Sequence, residues 1–194
     1  MKLNTSKSLW LKLGIAAIVL GCVLAFVWGR SGSNVLAVGN KAPNFTLRQV
    51  SAGTFTLRDG GHHVTLVNFW ATWCPPCVEE APSLEKFAQQ MRPQGVRVVG
   101  VSVDQNLPDL QKFIANYHLT FPIVRDPDQA LAGRFGTHIF PETYIFDRDG
   151  RLADKIIGAT DWEDPHMIQF VKALVRWPPA GVAESAAASS GSGY

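Results

Sequence analysis

The chain has 194 residues, of which 46% are hydrophobic and 18% charged, with a mean hydropathy of +0.05. This composition excludes a disordered chain, and the length leaves room for one domain with extensions rather than two domains. The formal net charge is +2, but four of the 18 basic residues and none of the 16 acidic residues fall within the first 30, which leaves 14 basic against 16 acidic residues in the remainder. That near-neutral remainder offers no electrostatic basis for binding nucleic acid, and three cysteines are too few for a small disulfide scaffold.

The first segment of the chain predicts a membrane anchor at residues 1–30. The run Leu13–Trp28 carries no charge and, with the apolar residues before it, approaches the roughly 20 residues that a spanning helix needs. Lysines in and before this segment orient the amino terminus to the cytoplasm. We therefore expect a single-pass, uncleaved signal anchor, with the rest of the chain on the outer side of the membrane. A signal peptide cleaved after Ala37 and a lipoprotein modified at Cys22 are the alternatives.

Composition also separates a folded domain from its flanking segments. Residues 31–40 contain Gly, Ser and Asn and are expected to form a flexible tether. Residues 178–194 begin with two prolines and continue as an Ala/Ser/Gly tail, which is expected to be disordered. The folded domain is therefore expected at residues 41–177.

Within this domain, the apolar residues alternate between the two-residue period of strands and the roughly 3.6-residue period of helices. Strands and helices that follow one another in this way predict an α/β sandwich. In chain order, the predicted elements are a hairpin of strands 45–47 and 54–57, a buried strand at 64–70, a helix at 77–91, a buried strand at 96–103, a helix at 107–117, a short strand at 121–124, a helical turn at 129–135, a pair of strands at 142–146 and 152–158, and a helix at 161–176.

A Cys-x-x-Cys pair lies where the buried strand Val64–Trp70 gives way to a helix. Cys74 falls at the helix amino terminus, where unpaired backbone N–H groups and the helix dipole favour a thiolate. Cys77 lies one turn further on the same helical face and can reach Cys74 to close a disulfide. We therefore predict a redox-active disulfide, in which Cys74 attacks and Cys77 resolves.

Two other roles for the pair are weaker. A zinc site needs two further ligands, and the chain offers only His62, His63 and scattered histidines, with no second Cys-x-x-Cys. A structural disulfide across two residues closes too small a loop to stabilise the fold much. We expect no metal site and no cofactor. The residues assigned to packing or to the surface are His118, His138, Trp162 and His166.

Two motifs in residues 41–177 carry a family resemblance, the run Asn68–Cys77 (NFWATWCPPC) and the run Phe140–Phe146 (FPETYIF). They resemble the thioredoxin superfamily, and more narrowly its membrane-anchored branch of TlpA/ResA-like and cytochrome c maturation (DsbE-like) thiol–disulfide oxidoreductases. The resemblance implies a thioredoxin-like three-layer sandwich with an amino-terminal hairpin extension and a central helix–strand insert within residues 105–129. It also implies that Pro141 is a cis-proline beside the cysteines, and that Trp73, Pro141 and Glu142 bind substrate. The alternative for Glu142 is an ordinary charge at the end of a strand.

One departure from the general thioredoxin pattern concerns the proton acceptor. Asn68 stands where thioredoxins carry a buried aspartate. Glu80, three residues after Cys77, lies on the same helical face and is similar to an acidic residue of the ResA-like group. A buried Glu80 would exchange protons with Cys77 and would count among the catalytic residues. The alternative for Glu80, and for Glu79 beside it, is an ordinary solvated helix face.

The start of the domain also resembles peroxiredoxins, which share the fold. The similar segment is Lys41–Leu47 (KAPNFTL). A peroxidase would need a proline and a hydroxyl residue at fixed distances before Cys74, and these positions hold Val67 and Ala71. This difference argues against peroxide as the substrate.

Together, these features predict a membrane-tethered reductase of client protein disulfides, anchored in the bacterial inner membrane with its catalytic domain on the periplasmic or outer side. The expected clients are the Cys-x-x-Cys-His segments of apocytochrome c or another specific pair, such as the cysteines of a copper site. An upstream membrane thiol reductant would regenerate the dithiol. The alternatives are a disulfide oxidase of the DsbA kind and a metallochaperone in which Cys74 and Cys77 hold Cu(I).

Overall fold

The computed structural model describes residues 5–29 and 36–177, and the chain divides into two compact units, Met1–Asn34 and Val35–Tyr194. In the first unit, helix α1 covers Thr5–Gly29 and contains the predicted apolar run. Across the two described ranges, the structure has no helix whose length and apolar character suffice to cross a membrane, so the predicted transmembrane helix is not shown. The predicted tail at residues 178–194 and residues 31–35 of the predicted tether lie outside the described residues.

The second unit alternates strands and helices, as the sequence predicts. Its elements are β1 (Thr46–Arg48), β2 (Thr54–Thr56), β3 (Val64–Trp70), α2 (Pro75–Met91), β4 (Val96–Ser102), α3 (Leu107–Asn116), β5 (Ile123–Arg125), α4 (Ala130–Phe135), β6 (Glu142–Phe146), β7 (Leu152–Ile157) and α5 (Pro165–Arg176). Helix α3 and strand β5 fall within residues 105–129, where the resemblance implies an inserted helix and strand.

A five-stranded sheet of order β5-β4-β3-β6-β7 forms the centre of this unit. Strands β3, β4 and β5 run parallel, while β6 and β7 are antiparallel to their neighbours. Every residue of the central strand β3 is buried, as expected of a strand that is covered on both faces.

The two faces of the sheet carry separate apolar cores, because successive side chains of a strand point to opposite sides. Leu66 and Trp70 of β3 pack with residues of α2, α3 and α5. Val67 and Phe69 pack on the other face with α4 and the β1–β2 hairpin. The unit therefore has three layers, which confirms the predicted α/β sandwich.

The amino-terminal hairpin lies along the outer edge of β5. Strands β1 and β2 pair antiparallel, and the backbone N–H of Val50 donates to the carbonyl of Ile123 at 2.8 Å. Gln49 and Val124 form an isolated antiparallel bridge next to this bond. At the opposite edge of the sheet, residues 39 and 40 of the predicted tether hydrogen-bond to Leu152 of β7.

Helices α2 and α5 begin two residues before and four residues after their predicted starts. Helix α2 begins at Pro75 rather than at Cys77, because the Cys74 sulfur caps the helix and prolines fit the first positions, whose amides have no intrahelical partner. Helix α5 begins at Pro165 rather than at Asp161, because the Asp164 carboxylate accepts the N–H of His166 and forms the cap there.

Candidate active site

A disulfide between Cys74 and Cys77 lies at the junction of β3 and α2, with the two Cα atoms 5.3 Å apart. The Cys74 sulfur also accepts the backbone N–H of Cys77, with an N to S distance of 3.4 Å. Just before the helix, Cys74 donates its own N–H to the carbonyl of Ala71 and closes a turn over residues 71–74. Both cysteines are largely buried, with 5% of Cys74 and 3% of Cys77 exposed. The structure therefore pairs the two residues as predicted, at the amino terminus of α2.

The antiparallel pairing of β3 and β6 brings a second segment to this junction. Phe69, near the end of β3, lies opposite Glu142 at the start of β6, so the residues before β6 face the start of α2. The peptide bond between Phe140 and Pro141 is cis, as the resemblance implies. The rings of Trp73 and Phe140 meet edge to face, with their centroids 6.2 Å apart.

Two exposed apolar side chains belong to the segments that precede Cys74 and Pro141. Trp73 is 63% exposed and Ile139, two residues before Pro141, is 62% exposed. The sequence predicts Trp73 in this surface through the resemblance, but nothing in the sequence pattern marks Ile139. Exposed apolar side chains beside a reactive group are typical of a surface that binds another protein.

Glu80 lies behind the disulfide in the interior of the domain. Only 4% of it is exposed, whereas its neighbour Glu79 faces solvent, so the structure separates the two glutamates that the sequence left together. The indole N–H of Trp162 donates to Oε1 of Glu80. Burial raises the pKa of Glu80 from 4.5 to about 7, and the hydrogen bond from Trp162 opposes part of that rise.

A cavity of about 10 Å³ adjoins Glu80 and Cys77 and has room for about one water molecule. Two buried polar atoms of its lining residues, Oε2 of Glu80 and Nε1 of Trp70, have no hydrogen-bond partner among the described residues. Asn68 also lines the cavity, but its amide donates to the hydroxyl of Thr143 at 2.9 Å. The carboxyl group in this cavity beside Cys77 is therefore that of Glu80, since Asn68 has no carboxyl group.

Glu142 points into the domain rather than toward the exposed surface. Its Oε1 forms an ion pair with Nζ of Lys155 at 2.7 Å, and its Oε2 accepts the hydroxyl of Tyr144 at 3.2 Å. Burial alone would lower the pKa of Lys155, but its contacts with Glu142 and Tyr144 raise the pKa above its ordinary value. The role of Glu142 in substrate binding stays a prediction. Because its side chain is bound inside the domain, these contacts favour an indirect role, in which Glu142 fixes the position of the neighbouring Pro141.

Trp162 is a site residue that the sequence assigned to packing. It is fully buried, as packing requires, but its indole N–H also serves Glu80, which lies 82 residues earlier. Within the described ranges, no cluster of three or more His, Cys, Asp or Glu side chains is arranged to hold a metal ion.

Residues 38–155 match the AhpC/TSA family. The chain belongs to this family. The thiol-disulfide oxidoreductase ResA of Geobacillus thermodenitrificans is 33% identical over 129 residues, which cover 66% of this chain and 74% of that protein. ResA of Bacillus subtilis is 27% identical over 159 residues, which cover 80% of this chain and 88% of that protein.

A solved structure with the same fold comes from Chlorobium tepidum and is described as a thiol:disulfide interchange protein DsbE. It has a TM-score of 0.67 and 27% identity, and the match covers 72% of this chain and 99% of that one. These similarities confirm the thioredoxin-like α/β fold that the motifs predict. The chain is a thiol–disulfide oxidoreductase of the ResA/DsbE type.

Proposed function

We propose that this enzyme is a membrane-tethered reductase of specific client disulfides on the outer side of a bacterial inner membrane. The observation that carries the proposal is the place of the Cys74–Cys77 disulfide, between the exposed Trp73 on one side and the buried Glu80 on the other. The exposed side accepts a protein client, and the buried side supplies a group that exchanges protons.

Reduction of a client begins with the dithiol form. The Cys74 thiolate attacks one sulfur of the client disulfide, the client S–S bond breaks, and the second client sulfur leaves as a thiolate. Cys77 then loses its proton and attacks the Cys74 sulfur of the mixed disulfide. The first client sulfur leaves in turn, so the client gains two electrons and the Cys74–Cys77 pair is oxidised. An upstream membrane thiol reductant returns the pair to the dithiol.

Glu80 acts on the second of these exchanges. A carboxyl group with a pKa of about 7 is partly ionised at neutral pH and can both take and return a proton. Because Glu80 lines the same cavity as Cys77, it accepts the proton that Cys77 loses before it attacks.

The clients we propose are the Cys-x-x-Cys-His segments of apocytochrome c, with the cysteine pair of a copper site as the other candidate. The resemblance of the two site motifs to cytochrome c maturation proteins supports the first. The exposed Trp73 and Ile139 also suit a client in an extended conformation, which can lay apolar side chains beside the disulfide.

Membrane tethering is supported by the uncharged run Leu13–Trp28 and by the lysines that precede it. We expect the full chain to fractionate with the inner membrane, and residues 36–177 to be digested by protease added to cells whose outer barrier has been opened. A chain that stays in the soluble fraction, or is protected from the protease, would remove this part of the proposal.

The test of the reductase uses three cysteine variants expressed in cells that depend on this chain. Cys74→Ser should abolish assembly of c-type cytochromes, and Cys77→Ser should accumulate mixed disulfides that identify the clients. Cys22→Ser removes the cysteine outside the pair and should leave both readouts unchanged. Normal cytochrome c assembly and normal reduction of other client disulfides in Cys74→Ser would refute the proposal.

Two measurements on the purified chain separate the alternatives. A reduction potential well above about −200 mV would favour an oxidase. Stoichiometric retention of Cu(I) without reductase activity would favour a metallochaperone.

A further inference from the structure

The turn over residues 71–74, which precedes α2, is hydrogen-bonded to the segment that follows β4. Within the turn over residues 71–74, Thr72 directs its backbone N–H and its hydroxyl to the carboxylate of Asp104, which follows β4. The hydroxyl to Oδ1 distance is 2.6 Å, and the N–H lies 3.1 and 3.2 Å from the two carboxylate oxygens.

Asp104 is itself fixed by its neighbours. Ser102 donates its hydroxyl to Oδ2 of Asp104 at 2.7 Å and accepts the backbone N–H of Asp104 at 3.1 Å. The guanidinium of Arg125 donates to the backbone carbonyl of Asp104 at 3.2 Å, and Val103 continues the pairing with β3 through the carbonyl of Trp70. Only 2% of Asp104 is exposed, so both its backbone and its carboxylate are enclosed by these contacts.

The carboxylate accepts hydrogen bonds from Thr72 and Ser102 and forms no ion pair with a lysine or arginine within the described ranges. Hydrogen bonds to a carboxylate are about twice as strong as those between neutral groups. Two of the three groups that donate to this carboxylate belong to Thr72, so Asp104 mainly fixes the turn over residues 71–74.

We infer that Asp104 is a positioning residue for Cys74, which fixes the turn over residues 71–74 through Thr72 and so keeps the Cys74 sulfur within reach of Cys77. The inference rests on the proposed role of the cysteine pair in disulfide exchange. Its measurable consequence is the effective concentration of one thiol relative to the other, because closure of the disulfide is favoured when both sulfurs are held in place beforehand. Loosening the turn lowers that effective concentration.

The experiment measures the equilibrium of the Cys74–Cys77 pair with reduced and oxidised glutathione in the purified full chain. We expect Asp104→Ala to lower the effective concentration at least tenfold, which corresponds to about 30 mV. Asp104→Asn keeps one acceptor oxygen for Thr72 and should lie between Asp104→Ala and the wild type.

Asp126 provides a matched control. It is also a buried aspartate, and it accepts the backbone N–H groups of Leu131 and Ala132 in α4 at 3.0 and 2.7 Å. Asp126→Asn should destabilise the domain much as Asp104→Asn does but leave the glutathione equilibrium within twofold of the wild type. If Asp104→Asn and Asp126→Asn lower stability alike and neither moves the equilibrium, Asp104 is only a structural brace and the inference is wrong.

A second pair of variants keeps the test decisive if the Asp104 variants do not fold. Thr72→Val removes the hydroxyl donor and keeps the shape, so it should lower the effective concentration severalfold, whereas Thr72→Ser should behave like the wild type. An unchanged equilibrium in Thr72→Val would overturn the inference. This experiment uses glutathione in place of a client. If the chain equilibrates with glutathione but reduces no client, the proposed function is wrong, and the role of Asp104 can still be measured.

Discussion

Replacing Glu80 by glutamine should remove a large pH dependence from the stability of the oxidised domain. The folded chain holds the proton of Glu80 up to about pH 7, whereas the unfolded chain releases it near 4.5. The contribution of this group to stability is therefore fully present below about pH 4.5 and is lost as the pH rises through about 7. Each pKa unit is worth about 1.4 kcal/mol, so the loss amounts to about 3 kcal/mol.

Glutamine has the shape of the protonated acid and keeps an oxygen for the indole of Trp162, but it does not ionise. The free energy of unfolding of Glu80→Gln should therefore exceed that of the wild type by about 3 kcal/mol more at pH 8 than at pH 4.5. Urea denaturation at a series of pH values measures this difference directly. Glu79→Gln, on the exposed face of the same helix, should follow the wild-type profile.

The reasoning would be refuted if the wild-type and Glu80→Gln profiles ran parallel from pH 4.5 to 8. A parallel pair would mean that Glu80 ionises at its ordinary pKa in the folded chain. The carboxyl group would then be solvated, and its proposed exchange of protons with Cys77 at neutral pH would lose its basis.

Two further predictions concern the partners of the buried carboxyl groups. Trp162→Phe removes the hydrogen bond that opposes the rise in the pKa of Glu80. The pH dependence of stability that Glu80→Gln removes should therefore have a higher midpoint in the Trp162→Phe background than with Trp162 in place. An unchanged midpoint would exclude this role for the indole. Lys155→Met leaves Glu142 buried without its cation and should lower the free energy of unfolding by about 3 kcal/mol, whereas adding Glu142→Gln should restore most of that loss. A double variant no more stable than Lys155→Met would show that the ion pair is not the cause.

The local parts of the site are predictable from the sequence because they rest on short-range patterns. The apolar run Val64–Trp70 predicts a buried strand, and the structure places all of it in the interior. The spacing of Cys74 and Cys77 predicts their disulfide, since three residues are less than one helical turn. The helix starts are less accurate, because capping by the Cys74 sulfur leaves no periodic signal.

The contacts that complete the site join residues far apart in the chain, and no periodicity reports them. Trp162 reaches Glu80 from the segment before α5, and Asp104 reaches Thr72 from the end of the neighbouring strand. Only the pairing of β3 with β4, and the packing of α5 beside α2, decide that these side chains meet. Glu80 is different, because it lies three residues after Cys77 on the buried face of α2, so the helical period does separate it from Glu79.

The amino-terminal hairpin has a consequence for solubility. A strand at the edge of a sheet offers unpaired N–H and C=O groups to other chains and invites intermolecular pairing. Val50 occupies the carbonyl of Ile123 on β5, and Gln49 bridges to Val124, so the hairpin occupies this edge itself. A shortened chain that starts after β2 would keep the cysteine pair, but it would expose both the edge of β5 and the apolar face of the sheet that the hairpin covers, and we expect it to aggregate.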